Sequence, residues 1–200
     1  MDNLFNNQPT NLNLPNSSIS YYPNFLNTLE AIKYYNYFKE NIPWQQDTIK
    51  LFGKEYLQPR LTALYGNNEK PYSYSSVTMQ PLTFSPELLK IKIALEKIAL
   101  CNFTSCLLNY YRDGSDSNGW HADNEKELGK NPIIASLSLG AERYFHLKHN
   151  KFKDERKKIL LTNGSLLLMQ GETQHFWKHQ IPKTKKLIAP RINLTFRIIN

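Results

Sequence analysis

The chain has 200 residues, 40% of them hydrophobic, and carries 25 Lys and Arg against 17 Asp and Glu, a formal net charge of +8. This length allows one domain with its own core. The apolar runs are too short to span a bilayer, and the N-terminus lacks a signal-peptide pattern. We therefore expect a soluble, monomeric intracellular protein of the cytoplasm or nucleus, with no membrane partner. The positive charge fits a polyanionic partner or a merely solubilising surface, and two cysteines, Cys101 and Cys106, match neither a redox pair nor a zinc site.

The first half of the chain contains an unpatterned segment and two predicted helices. Residues 1–20 are rich in Asn, contain no Lys or Arg and lack periodicity, which predicts a disordered arm. Apolar side chains recur at helical spacing over residues 25–44, where a proline closes the first helix. The second helix is predicted over residues 85–100, with Ser85 as its N-cap and Pro86 at its first helical position.

Beyond Asn102 the sequence changes to short β-branched or aromatic runs separated by turn-forming residues, which predicts six or more strands. Asn163-Gly164 is a tight-turn signal between two of them. The pattern favours an α+β fold that is mainly β, with N-terminal helices packed on one side of an antiparallel sandwich or barrel. We expect a single domain over residues 21–200, whose strand-rich core covers residues 103–200.

The segment "GWHADNEKELG", residues 119–129, contains the first candidate for chemistry. Residues two apart on a strand point to the same face, so His121 and Asp123 could bind one metal ion. Two histidines and one carboxylate hold Fe(II) on one face of an octahedron and leave the other positions open for substrate and dioxygen. The pair alone is weak evidence, because a solvated His beside an Asp is common. The histidines available as the third ligand are His146, His149, His175 and His179.

The strand predicted at the end of the chain, "RINLTFRII", contains the second candidate. One face of it carries Arg191, Asn193, Thr195 and Arg197, and the other face is apolar. An inward arginine near an Fe(II) site favours a dicarboxylate cosubstrate that also binds the metal, which would be 2-oxoglutarate. The alternative is an ion pair of either arginine with a protein carboxylate such as Glu142 or Glu172. Because six residues of straight strand span roughly 20 Å, both arginines reach one small molecule only if the strand curls or a side chain folds back.

Eight motifs follow one another along the chain: "LFGK", "QPRLTALYG", "PYSYS", "LLNYYRDG", "WHADNEKELG", "PIIASLSLGAERYF", "NGSLLLMQGETQHFWKHQIP" and "APRINLTFR". In this order they resemble the AlkB family of Fe(II)- and 2-oxoglutarate-dependent nucleic-acid dealkylases, and they cover residues 51–199. A joint match of this length is far more specific than any single motif. The resemblance implies a double-stranded β-helix, or jelly-roll, core, and it makes residues 21–102 the helices and the nucleotide-recognition region.

The resemblance also implies the metal ligands. It makes His121 and Asp123 iron ligands and selects His179 as the third, because "FWKHQIP" matches the family's context at that position. Strand alternation alone cannot separate His179 from His175, four residues earlier on the same predicted face. A lysine-rich hairpin contains the remaining two histidines, and they are predicted to lie at the surface.

The cosubstrate residues are implied in the same way: Asn109, Tyr111, Arg191, Asn193, Thr195 and Arg197. One arginine would hold the distal carboxylate of 2-oxoglutarate, and the other would lie nearer the metal. Taken without the family match, Asn109 and Tyr111 would be interpreted as a turn residue and a core aromatic.

The substrate contacts implied by the resemblance are Phe52, Gly53, Lys54, Tyr72, Ser73, Tyr74, Asn124 and Glu125. Tyr74 matches an aromatic that stacks on the flipped base, with His121 on the opposite wall, although Tyr74 could equally face a core. Phe52 corresponds to the tip of a duplex-probing hairpin, although it could also anchor a strand. Many repair members carry two acids after the ligand Asp, whereas this chain has Asn124 and then Glu125, which leaves the base preference open. The lysine clusters "KHNKFKDERKK" and "KTKK" would contact phosphates.

Together, these residues imply oxidative demethylation of 1-methyladenine and 3-methylcytosine in DNA, with RNA as a further carrier of the base, coupled to decarboxylation of 2-oxoglutarate and release of formaldehyde. The implied cofactors are Fe(2+), 2-oxoglutarate as cosubstrate and O2, and the implied partner is alkylated DNA or RNA. One alternative is the same chemistry on a modified tRNA base. The other is a non-catalytic nucleic-acid-binding module, which the presence of every ligand position and both arginines argues against.

Overall fold

The computed structural model describes residues 8–51, 53–67, 72–74 and 77–199, with side chains described for residues 8–49, 53–67 and 79–199. Strands dominate these ranges. They are β1 (Thr10–Asn11), β2 (Ser18–Tyr22), β3 (Thr48–Leu51), β4 (Lys54–Leu57), β5 (Leu61–Gly66), β6 (Tyr72–Tyr74), β7 (Val77–Met79), β8 (Leu82–Thr83), β9 (Ser105–Tyr111), β10 (Asn118–His121), β11 (Ile134–Gly140), β12 (Arg143–His149), β13 (Arg156–Leu161), β14 (Leu166–Gln170), β15 (Trp177–Ile181) and β16 (Arg191–Arg197). The α-helices are α1 (Thr28–Asn41), α2 (Pro86–Ala99) and the single turn α3 (Thr173–Phe176), and a 3-10 turn covers Lys126–Leu128.

Two sheets form the body of the molecule. The large sheet has the strand order β1-β2-β14-β11-β16-β9-β5-β8, and the small sheet has the order β10-β15-β12-β13. Neighbouring strands are antiparallel except for β5 and β8. Two separate hairpins, β3–β4 and β6–β7, complete the strands. No helix in the described ranges is both long enough and apolar enough to cross a membrane.

Each face of the large sheet buries a different core. Strand alternation on β9 sends Cys106 and Leu108 to a core shared with α1 and α2, and sends Leu107 and Tyr111 to a core shared with the small sheet. The molecule therefore has three layers, with helices, large sheet and small sheet in that order. This arrangement confirms the predicted mainly β fold, with a jelly-roll core and helices on one side.

The helices follow their end signals closely. Helix α2 begins as predicted, with Ser85 capping the Leu88 N–H and Pro86 at the first helical position. Helix α1 begins later than the predicted residue 25, because Asn27 forms a capping box with Glu30.

The prediction of a disordered N-terminal arm is wrong for residues 10–20. Strand β2 pairs with β14 through five residue pairs, and β1 pairs with β2. Ile19 is buried in the core between the sheets, and the Pro15 carbonyl accepts a hydrogen bond from the Trp177 indole. The sequence of this segment has no helical or strand periodicity. The open edge of β14 nevertheless supplies backbone hydrogen-bond partners, which the sequence of the segment does not reveal.

The buried face of α1 should contribute strongly to the free energy of unfolding, and its exposed face should not. The Phe38 side chain is fully buried, at 0% exposure, whereas Ile32 of the same helix is 46% exposed. Phe38→Ala should lower the free energy of unfolding by about 3–5 kcal/mol, because it leaves a cavity in the core. Ile32→Ala should change it by less than about 0.5 kcal/mol. Urea unfolding of both variants measures the difference, and equal losses would contradict this account of the helix.

Candidate active site

Polar side chains line the inner face of the large sheet near its centre. On β16 the predicted alternation is confirmed, since Ile192, Leu194 and Phe196 enter the helix-side core. The opposite face of the strand lines a cavity between the sheets, with Arg191, Asn193, Thr195 and Arg197. From the neighbouring β9, Asn109 and Tyr111 line the same cavity. All six residues predicted to bind the cosubstrate are therefore brought together.

The metal-ligand candidates meet at one end of this cavity. Strand β10 ends at His121, which is the cross-strand partner of His179 on β15, and their ring centroids are 4.2 Å apart. Asp123 follows β10, and the Gln174 side chain accepts a hydrogen bond from its backbone N–H. One ligand atom from each of His121, Asp123 and His179 lies within 4.8 Å of the others. Such a cluster can hold one metal ion from a single side.

Hydrogen bonds orient this cluster. His121 Nδ1 lies 2.7 Å from the Gly119 carbonyl, which can only accept, so Nδ1 carries the proton. The lone pair is therefore on Nε2, which lies 3.3 Å from the Asn118 amide nitrogen and is the atom of this ring that can bind a metal. The Arg197 guanidinium donates to Asp123 Oδ1 at 2.7 Å, while Asp123 Oδ2 lies 3.9 Å from His179 Nε2. Arg197 thus holds one carboxylate oxygen and leaves the other facing the histidines.

The local electrostatics favour the protonation states that metal binding requires. Burial lowers the pKa of His179 to about 3, and burial also lowers the pKa of His121. Burial alone would raise the pKa of Asp123, but the charge and the hydrogen bond of Arg197 bring it below its ordinary value. At neutral pH the site therefore presents two neutral imidazoles and a carboxylate, as a divalent cation needs.

The other histidines lie elsewhere. His175 is exposed on α3, where its Nε2 lies 2.9 Å from the Asn131 side chain, so the helical turn has removed it from the face that strand alternation predicted. His146 is partly buried on the small sheet. The predicted surface position is wrong for His149, which is only 5% exposed because its ring packs between the rings of Phe152 and Phe176.

Arg191 lies at the far end of the cavity from the ligand cluster. It is 1% exposed, its guanidinium stands 5.1 Å from the Tyr111 ring centroid, and its Nη2 donates to Ser138. Among the residues with described side chains, none forms a hydrogen bond with its Nε or Nη1, and no carboxylate pairs with it. Burial lowers its pKa to about 10, so the side chain stays charged at neutral pH. A buried cation of this kind needs an anion.

Sequence reasoning missed three polar contributors to this site. Arg60 is buried at the start of β5 and donates through Nε to Asn109 Oδ1 at 2.7 Å. Ser136 and Ser138 accept hydrogen bonds from Asn193 and Arg191. The two serines alternate with leucines in "IASLSLG", and that alternation was a usable signal, whereas nothing local distinguished Arg60.

The 2OG-Fe(II) oxygenase superfamily profile matches residues 18–197 of the chain, a range that contains the complete cluster and cavity. The chain belongs to this superfamily. Within it, the chain is 42% identical over 186 residues to the bovine (Bos taurus) alpha-ketoglutarate-dependent dioxygenase alkB homolog 3, covering 88% of the chain and 64% of the relative. It is 41% identical to the human (Homo sapiens) homolog 3, covering 92% and 66%. These matches confirm the AlkB-family resemblance.

Two further comparisons extend this result. The DNA oxidative demethylase ALKBH2 of Arabidopsis thaliana is 36% identical over 215 residues, with 92% of the chain and 67% of the relative covered. The solved structure of OsALKBH1 superposes with a TM-score of 0.70 at 18% identity, over 96% of the chain and all of that structure, which shows a shared fold. The chain thus spans about two thirds of the length of these curated relatives.

The residues present fit the two groups for which the superfamily is named. The two histidines and Asp123 are the donor set that Fe(II) takes, and all three residues line the cavity. A carboxylate suits the other part of the cavity, because the buried guanidinium of Arg191 keeps N–H donors on Nε and Nη1 that bond to no described residue.

A groove of about 480 Å³ adjoins the cavity and shares Asn118 and His121 with it. Cations and aromatic rings stand along this mouth groove, namely Arg60, Lys183, Tyr56 and Trp120. Hairpin β3–β4 borders it through Ile49 and Leu57.

The predicted substrate contacts are only partly described. Gly53 has φ 77° and forms the exposed turn of hairpin β3–β4, and Lys54 is exposed beside it. Phe52 lies outside the described residues, and so do the side chains of Tyr72, Ser73 and Tyr74, whose backbone forms β6. Asn124 is exposed and Glu125 is half-buried, and neither lines the cavity or the mouth groove.

Proposed function

We propose that this chain is an Fe(II)- and 2-oxoglutarate-dependent DNA oxidative demethylase, which removes the methyl group of 1-methyladenine and 3-methylcytosine, with RNA as a second carrier of these bases. The observation that carries the proposal is a single cavity with the His121, Asp123 and His179 cluster at one end and the unpaired Arg191 at the other. The identity to relatives named DNA oxidative demethylase supports the substrate class.

In this proposal His121, Asp123 and His179 hold the iron, and Arg191 holds the distal carboxylate of 2-oxoglutarate. When bound, the two groups supply a two-electron oxidation of a methyl C–H bond by dioxygen, with succinate and carbon dioxide as the other products. The hydroxymethyl group formed on the ring nitrogen leaves as formaldehyde, and the nitrogen recovers its unmethylated state.

The surrounding residues position these groups. Arg197 orients the Asp123 carboxylate and keeps it ionised. Asn109 is fixed by Arg60, and Tyr111 packs against the guanidinium of Arg191, so both are placed to contact the cosubstrate. Thr195 donates to Asn193, whose amide donates in turn to Ser136, which fixes the polar wall between the arginines. Phe145, stacked on the His179 ring at 5.1 Å, helps to exclude water from the ligand cluster.

The mouth groove would receive the modified base. A methylated ring nitrogen is hidden in a duplex, so the nucleotide must be flipped out or presented on a single strand. The aromatic rings and cations of the groove, Tyr56 and Trp120 with Arg60 and Lys183, suit a base and its phosphates. Tyr74 remains our candidate for stacking on the base, and the Phe52, Gly53 and Lys54 turn remains our candidate for the probe of the duplex.

A mass measurement tests the proposed function directly. The purified protein should remove one methyl mass from an oligonucleotide with a single 1-methyladenine in the presence of Fe(II), ascorbate and 2-oxoglutarate, and Asp123→Ala should not. Succinate formation without loss of the methyl group would mean that the oxidant forms and the substrate is wrong. A panel of methylated DNA, RNA, tRNA and free nucleosides would then identify the base on which the chain acts.

A further inference from the structure

The outer face of the small sheet carries a row of like charges across three strands. Lys178 of β15 lies opposite Lys148 of β12, and Lys148 lies opposite Arg156 of β13. Lys178 and Arg156 are exposed. Opposed like charges destabilise a sheet, and among the residues with described side chains none of the three has a carboxylate partner. A row of cations without carboxylate partners makes this surface complementary to a polyanion.

Exposed aromatic rings stand beside the charges. Trp120 of β10 is 38% exposed and Tyr144 of β12 is 44% exposed. The ammonium of Lys148 lies 4.3 Å from the centroid of the Trp120 ring, and that of Lys158 lies 3.8 Å from the centroid of the Tyr144 ring. A four-stranded sheet that combines cations with exposed aromatics is a surface on which unpaired bases stack while their phosphates are neutralised.

Tyr144 lies in a groove of about 520 Å³ between this sheet face and the loop of residues 182–188. Its cationic and aromatic lining includes Arg143, Tyr144, His146, Lys158, Lys183 and Lys186. The acids near this surface are Glu142, which also lines the groove, Asp113 and Asp116, which lie beside Arg143, and Asp154 and Glu155, which lie in the β12–β13 turn. Asp116 is paired with Arg112. The charge of the groove is therefore positive overall.

This outer groove is connected to the active site. Lys183 lines both the outer groove and the mouth groove beside His121. Trp120 likewise belongs to the outer sheet face and lines the mouth groove, one residue before the ligand His121. A single strand that leaves the mouth groove would pass Lys183 and enter the outer groove that contains Tyr144.

We propose that the outer face of the small sheet is a second nucleic-acid-binding surface, which holds the unpaired strand on one side of the modified nucleotide by its phosphates and by one base stacked in the groove of Tyr144. The inference rests on the proposed function, because it is the substrate strand that would reach this surface. It extends that function by making the enzyme prefer longer single strands over short ones.

Binding of an unmodified 15-nucleotide single strand, followed by fluorescence anisotropy in a salt titration, tests this surface without any need for catalysis. The Arg156→Ala/Lys178→Ala variant should bind about 10-fold more weakly near 0.1 M salt, and its salt slope should fall by about 1.4, since each lost phosphate contact to a single strand contributes about 0.7. Tyr144→Ala should weaken binding about fivefold or more, whereas Tyr144→Phe, which keeps the ring, should not. The matched control, Lys33→Ala/Lys90→Ala, removes two exposed charges from the helices on the other side of the large sheet.

Several results would overturn the proposal. They are wild-type binding by the Arg156→Ala/Lys178→Ala variant, an equal loss in the helix control, or wild-type binding by Tyr144→Ala. Equal weakening of the binding of a blunt duplex by Tyr144→Ala would also overturn it, because a paired base cannot stack in the groove.

A trinucleotide with a central 1-methyladenine separates this proposal from the proposed function. It should be demethylated equally by all variants, since it is too short to reach Tyr144. If no variant demethylates it, the proposed function fails while the binding result stands.

Discussion

His179→Ala will abolish turnover of 2-oxoglutarate, whereas His175→Ala will leave it at the wild-type level. His179 is buried in the ligand cluster with its pKa lowered to about 3, so it offers a neutral imidazole at any physiological pH. Loss of residues that merely support metal ligands costs about 10–100-fold in affinity or activity, and loss of a ligand should cost at least about 100-fold. Succinate production in the presence of Fe(II) measures the effect.

The His175 variant is a close control for this experiment. The two histidines are four residues apart, but His175 is exposed and its ring contacts only Asn131 among the hydrogen-bond partners described. Titration of each variant with Mn²⁺ or Co²⁺ separates loss of the metal from loss of folding. Wild-type metal affinity in His179→Ala, or a matching loss in His175→Ala, would show that the third ligand has been assigned wrongly.

Arg191→Met will raise the KM for 2-oxoglutarate at least about 30-fold, with a smaller effect on the affinity for the nucleic acid. Removal of one partner of a buried ion pair weakens binding by about 2–5 kcal/mol, and about 1.4 kcal/mol corresponds to a factor of ten in a binding constant. Arg191→Lys keeps the charge but loses the planar guanidinium and its several N–H donors, so its KM should lie between that of the wild type and that of Arg191→Met. Steady-state kinetics with varied 2-oxoglutarate provides the measurement.

Thermal stability gives an independent readout for Arg191. In the absence of cosubstrate the wild-type side chain is a buried cation with unpartnered nitrogens, so Arg191→Met should not lower the Tm of the protein itself. Added 2-oxoglutarate should raise the Tm of the metal-loaded wild type and leave the Tm of the variant unchanged. As a control, Arg112→Met removes an arginine that pairs with Asp116 away from the cavity, and its KM should stay at the wild-type value. An unchanged KM in Arg191→Met would remove this residue from the cosubstrate site.

Local rules predicted those parts of the fold that depend on neighbouring residues alone. Helix α2 follows its Ser-Pro start, the alternation of β16 separates its polar and apolar faces, and Gly164 takes the positive φ of the predicted tight turn. Strand β2 was missed because its partner, β14, is more than 140 residues away in sequence. No property of the segment itself reveals a vacant strand edge at that distance.

The candidate site shows the same division. Asp123 and His121 could be paired from their spacing, but the choice between His175 and His179 depended on the turn of α3, which strand periodicity does not anticipate. The folded chain also separates histidines that look alike in the sequence, because the ligand cluster takes two of them while His149 packs among aromatic rings. Arg60, just before β5, reaches Asn109 on the neighbouring strand β9, a contact that depends on the register of β5 against β9.

The pairing of β2 with β14 also protects the molecule from self-association. Without β2, the backbone of Leu166–Gln170 would form an exposed edge of the large sheet, and four of its five side chains are apolar and buried. Open edges of this kind are templates on which a second chain can add a strand. A shortened protein that begins after Tyr22 would therefore be prone to aggregate, even though every candidate metal ligand and both arginines of the cavity are retained. Recombinant versions should keep the Asn-rich segment for that reason.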